Sequence, residues 1–168
     1  GSMASTFMQD SVTLIADCAD QLNQIYKKKK FKLRIVGKDK ASEKNIKKLN
    51  FPWVEFAGWV ESSQKEYANA SFLFTPNSSA VGPRTKILEA ASAKVCIITT
   101  QENITNCFPN FKNFKDMVVA KSMNEFCKSF EKTLMSHKLK KKMINSAKKK
   151  YDKYYSPHVA LENNLRLI

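Results

Sequence analysis

An α/β domain with a mostly parallel sheet flanked by helices is the fold this sequence predicts, and three observations predict it. Short apolar runs rich in β-branched and aromatic residues alternate with segments whose apolar residues recur at helical spacing. One run, residues 95–99 (Val-Cys-Ile-Ile-Thr), is too apolar for any place but a sheet interior. The 168 residues and the 43% apolar content suit one domain with a substantial core.

The elements follow in order. Residues 1–9 read as a leader, with Gly1, Ser2 and Met3 resembling an expression remnant, and the domain is expected over 10–168. Val12, Leu14, Ile15, Cys18, Leu22, Ile25 and Tyr26 keep helical spacing behind a cap at Asp10 or Ser11. A strand over 31–36 ends at Gly37, and residues 41–49 fit a short basic helix. A second strand over 54–57 leads into Gly58, Trp59 and Val60, and Ser63 with Glu66 has the spacing of a capping box that starts a helix. Residues 71–75 (Ser-Phe-Leu-Phe-Thr) read as a buried strand, 76–82 as a turn, and Pro83 as a first helical residue. After the strand at 95–99 come a polar loop to Asn103 and an irregular stretch over 104–114 packed by its own three phenylalanines. A last strand over 117–120 precedes a helix capped by Ser122 and Glu125 that bears Phe126, Cys127, Phe130 and Leu134. The tail helix over 137–155 sets Leu139, Met143, Ala147 and Tyr151 on one stripe among lysines. No internal repeat or mid-chain boundary interrupts this series.

The 29 Lys and Arg against 15 Asp and Glu give a net charge of +14, which favours anionic partners: a nucleotide, an anionic lipid surface or a nucleic acid. Lysines spread over most helices, the scarcity of Arg and the lack of any RNA-binding signature make nucleic acid the weakest of the three. Cys18, Cys96, Cys107 and Cys127 have no metal-ligand spacing and read as reduced thiols. With only His137 and His158, zinc chemistry and a Ser-His-Asp triad have almost no support. No run approaches the ~18 apolar residues of a membrane span, and the expected location is cytoplasmic.

The richest stretch for chemistry is 75–91, where an apolar strand runs through a polar, Gly-bearing turn into a helix. Free N–H groups of a first helical turn point beyond the strand end, and the helix dipole favours an anion there. Arg84 and Lys86 add positive charge beside Gly82 and Thr85, and Glu89, one turn further, can accept from sugar hydroxyls. A nucleoside diphosphate offers both partners. A solvated lysine and an ordinary surface acid are the alternative readings of Lys86 and Glu89, as an exposed end-of-turn cation is of Arg84.

These residues, with 33–37 (Leu-Arg-Ile-Val-Gly), 54–60 (Val-Glu-Phe-Ala-Gly-Trp-Val), 67–70 (Tyr-Ala-Asn-Ala) and 95–99, resemble the nucleotide-sugar-binding half of group 1 glycosyltransferases of the GT-B fold. The resemblance runs from about Asp10 to about Tyr155. It implies a Rossmann-like domain, one half of a GT-B enzyme, that binds a UDP- or GDP-sugar without a metal. Lys86 and the neighbouring amides would hold the diphosphate and Glu89 the ribose. Lys86, joined by Arg84, would stabilise charge on the departing nucleoside diphosphate in a retaining transfer. It further implies that Gly58, Trp59 and Val60 border the base, where the bland reading of Trp59 is a partly exposed packing residue. Gly37 suits a close backbone approach near a strand end or an ordinary turn. The polar loop at 99–103 is a second candidate wall of the same crevice.

Two departures stand out. Many members carry an acid eight positions before the ribose glutamate, and this chain has Val81; nothing before Asp10 resembles the usual opening strand and glycine-rich loop. The acceptor would be held by an amino-terminal domain not seen in these residues, so the domain alone is expected to bind donor without transferring sugar. A peripheral contact of the basic tail with an anionic membrane is the remaining partner expectation.

Overall fold

The computed structural model describes residues 13–37, 50–76, 85–104 and 108–159. Residues 13–17 are helical and lead through Cys18 into helix α1 (Ala19–Lys28). The apolar spacing carries across this junction, so Ile15, Cys18, Leu22 and Ile25 are all buried while Lys27 to Lys30 are exposed. Strand β1 (Leu33–Val36) pairs in parallel with β2 (Val54–Gly58), Leu33 opposite Val54, with an irregularity between Ile35 and Val36. Helix α2 (Ser63–Asn69) precedes β3 (Phe72–Thr75), and helix α3 (Thr85–Ser92) precedes β4 (Cys96–Thr100). A 3-10 turn (Gln101–Asn103), β5 (Val118–Ala120), α4 (Met123–Met135) and α5 (His137–Tyr154) complete the described chain. The expected helix at 41–49 and turn at 77–82 lie outside the described residues.

Every strand pair among the described residues is parallel, β3 with β4 and β4 with β5 as well as β1 with β2, as the alternation of strands and helices predicts. Side chains of these strands divide between two faces with period two. Phe72, Phe74, Cys96, Ile98, Val118 and Ala120 join a core with residues of α1 and α4. Leu73, Val95, Ile97, Met117 and Val119 join another with Tyr67 of α2 and Ile87, Ala90 and Ala91 of α3. Helix α5 serves both, Met143 entering the first core and Ala147 the second.

The sheet is not continuous among the described residues. It falls into β1–β2 and β3–β4–β5, and the two parts share the first core, to which Phe31, Leu33 and Val54 contribute beside Phe72 and Phe74. The ring of Phe130 bridges them, at 5.1 Å from Phe31, 5.3 Å from Phe72 and 4.8 Å from Phe74, edge to face in each case. β4, flanked on both sides, is wholly buried, whereas each residue of β3 is only half-buried. Trp53, just before β2, is fully buried, stacks on Phe51 at 4.9 Å and donates its indole N–H to Asn23 Oδ1 at 2.5 Å.

Two caps test the expected helix starts. Ser122 accepts from the Glu125 N–H at 3.2 Å as expected, while the Glu125 carboxylate closes on the N–H of Lys121 at 2.8 Å. The expected cap at Ser63 is corrected by one residue: Ser62 accepts from the Lys65 N–H at 3.4 Å. Glu66 is drawn away to Arg34 of β1, which gives it two guanidinium N–H groups at 2.7 and 3.2 Å, a stronger partner for a carboxylate than a helix amide. That pair raises the Arg34 pKa and holds the Glu66 carboxyl below its ordinary value.

Within the stretch expected to be irregular over 104–114, Phe108 and Phe111 meet edge to face at 5.9 Å, but Tyr155 from beyond it stacks on Phe111 at 5.5 Å and Phe114 packs against the first core. The chain from Phe108 to Met117 is held further by an ionic contact. Its anchor is the buried Asp116, which accepts from the Lys112 N–H at 2.7 Å, the Ser146 hydroxyl and the Lys150 ammonium. Cys18, Cys96 and Cys127 are buried free thiols, and burial pushes the Cys96 pKa up to about 12.

Candidate functional site

The carboxyl ends of parallel strands are where an open α/β sheet presents loops to a ligand. At the end of β1 and β2 the structure brings two of the expected glycines together: the Gly37 N–H donates to the Gly58 carbonyl at 2.8 Å. Gly58 has φ +67°, in the left-handed region that side chains with a Cβ rarely adopt. Among the described residues the near neighbour there, Phe56 at 3.9 Å, leaves room for a Cβ, so the backbone conformation selects glycine at this position. The turn it makes delivers Trp59 to the surface, 65% exposed, with Val60 half-buried beside it.

At the other sheet, β3 and β4 end in a polar cluster. Thr75 Oγ1 donates to Thr99 Oγ1 at 2.8 Å, and the buried Asn103 side chain donates to the Thr75 carbonyl. Thr99, Thr100 and Asn103 are buried and Gln101 is exposed, so the expected second wall presents Gln101 and, in part, Glu102 to solvent. Among the described residues Asn103 Oδ1 finds no hydrogen-bond partner.

Helix α3 follows β3 and puts Thr85, Lys86 and Glu89 on its exposed side while Ile87, Ala90 and Ala91 are buried. The spacing i, i+3, i+4 places Lys86, Glu89 and Ala90 in register along the helix, with Glu89 at the boundary of the buried stripe. There it meets α2, where the half-buried Tyr67 hydroxyl lies against its carboxylate. Burial first, then the Glu89 charge, raises the Tyr67 pKa, so that hydroxyl stays protonated and able to donate. The sequence reading missed this contact; its signal was a tyrosine on the helix just before the strand that launches the site. Gly82 and Arg84 lie outside the described residues, as does Val81.

The described residues thus build an open parallel α/β domain with glycine turns, an exposed tryptophan and a lysine–glutamate pair at its strand ends. The chain belongs to the group 1 glycosyl transferases: the sequence profile of that family matches residues 1–135, a span that takes in 1–9. No curated protein matches the chain by sequence.

Solved structures agree on the fold. TarM of S. aureus, in a complex that contains UDP, superposes with a TM-score of 0.74 at 18% identity over 94% of this chain and 32% of TarM. HepE of Anabaena in complex with UDP gives a TM-score of 0.79 at 10% identity over 100% of this chain and 47% of HepE. The C-terminal domain of LpcC, a glycosyl transferase group 1 family protein from Francisella tularensis, gives 0.70 at 16% identity over 89% of this chain and 82% of that domain. The chain spans just under a third of the length of TarM and just under half of that of HepE. The fold is therefore the Rossmann-like α/β fold of GT-B glycosyltransferases, as the resemblance implied.

Proposed function

We propose that this chain is the donor-binding half of a retaining glycosyltransferase and takes a nucleoside diphosphate sugar, UDP- or GDP-linked. The observation that carries this reading is the placement of Lys86 and Glu89 on the exposed side of the first turns of α3, in a family where similar folds hold UDP. The helix dipole and the amides of Thr85 and Lys86 favour the diphosphate, and the Lys86 ammonium, with Arg84, neutralises charge on the departing nucleotide. Glu89, kept in place by the Tyr67 hydroxyl, accepts from the ribose. Gly37 and Gly58 let backbone approach the nucleotide, and Trp59 with Val60 borders the base. Fixed amides and cations suffice for this electrostatic role, so no metal is called for. The acceptor, and any base or nucleophile, would come from an amino-terminal domain across the cleft, and the chain alone binds donor without turnover.

Ligand-observed NMR against UDP, GDP, ADP and CMP tests the reading. One nucleotide binds selectively, and Glu89→Gln and Lys86→Ala each weaken it by about tenfold, the size of a lost charge-assisted hydrogen bond. Unchanged affinity in both variants with the fold intact would sink the site.

A further inference from the structure

Helix α5 carries a line of lysines that no carboxylate answers. Lys138, Lys141, Lys142 and Lys149 are exposed, and none forms an ion pair among the described residues. At about 100° per residue the four fall within one sector roughly 100° wide, and they extend for about 16 Å along the axis. Met143 and Ala147, buried, hold the opposite side of the helix against the two cores. The remaining lysines of α5 are tied down. Lys140 lies over the Phe72 ring at 5.2 Å, Lys148 pairs with Asp152, Lys150 with Asp116, and Lys153 covers Tyr154 at 5.1 Å. The flanks are neutralised or packed, and the outward crest is left positive.

We propose that this crest docks α5 lengthwise on an anionic lipid surface. A straight row of ammonium groups on a rigid helix suits a plane of negative headgroups, each lysine adding favourable energy within about a Debye length of the surface. Nucleic acid fits the crest less well. It offers no Arg for bidentate phosphate or base contacts and no aromatic on which bases could stack. Met135 and Tyr154 are the exposed large apolar residues near the ends of α5, and none lies within the lysine row, so the contact is electrostatic and reversible rather than inserted. The crest shares no residue with the proposed donor site, and either assignment stands without the other.

Co-sedimentation of the chain with phosphatidylcholine vesicles, with and without about 30% phosphatidylserine at roughly 0.1 M salt, tests it. The chain is retained only on the anionic vesicles. Replacing Lys138, Lys141, Lys142 and Lys149 together by Gln weakens retention by at least ~10-fold. Replacing Lys65, Lys94, Lys115 and Lys121, which are equally exposed and equal in charge but off the crest, leaves it within about twofold. No retention of the unaltered chain, equal losses in the two quadruple variants, or tighter capture by mixed-sequence RNA at the same salt would each overturn the proposal.

Discussion

Phe130→Ala is expected to remove about 4 kcal/mol of folding stability, measured by denaturant unfolding with and without the substitution. Its ring is fully buried and meets Phe31, Phe72 and Phe74 edge to face, so truncation opens a cavity and deletes three aromatic contacts at once. A domain of this size has on the order of 10 kcal/mol in hand, so such a loss leaves the variant partly unfolded on mild warming. Phe130→Leu keeps most of the volume and recovers at least half of the loss. A deficit under ~1 kcal/mol for the alanine variant would mean that the two sheet sections do not rely on this ring.

The second large effect is expected at Asp116. Asp116→Ala costs about 3 kcal/mol, because the Lys150 ammonium, only 19% exposed, loses its carboxylate, and the Lys112 N–H and Ser146 hydroxyl lose their acceptor. The charge left behind is the main penalty, so Asp116→Ala with Lys150→Met is expected to be more stable than Asp116→Ala alone. Thermal unfolding of the two variants decides the point, and a double variant less stable than the single one refutes it. Loss of Asp116 also frees the 108–117 segment, which Lys150 further holds through the Asn110 carbonyl.

Much of this architecture is legible in the sequence because its apolar residues are unambiguous. The run at 95–99 could only be interior, and β4 is buried throughout. The stripe on α5 follows the expected period, though only Met143 and Ala147 are fully buried, Leu139 and Tyr151 lying at its margins. What the sequence leaves open depends on contacts between distant residues. The capping box expected at Ser63 and Glu66 does not form: Ser62 caps α2 instead, and Glu66 goes to Arg34, 32 positions before it. Periodicity tells that a strand exists but not which of its edges is paired, so the interruption between β1 and β3 left no mark. Asp116 falls between the irregular stretch and the last strand, and nothing in the sequence announces that Ser146 and Lys150 close on it. For the site, Gly37 and Gly58 were separately suspected and are joined by one backbone hydrogen bond. The Tyr67 contact to Glu89 was hidden because a half-buried tyrosine is ordinarily packing.

The interruption of the sheet has a bearing on how the domain opens. Among the described residues no backbone hydrogen bond links β1–β2 to β3–β4–β5, and the coupling passes through rings such as Phe130 and through the Arg34–Glu66 pair. Side chains can part locally where a shared ladder cannot, so the domain should behave as two cooperative units of unequal stability. In native-state hydrogen exchange the amides of Leu33 to Val36 and Val54 to Gly58 are expected to exchange together, through an opening of lower free energy than the one that exposes Cys96 to Thr100. A single opening energy for both sets would show that aromatic packing alone makes one folding unit of the two sections.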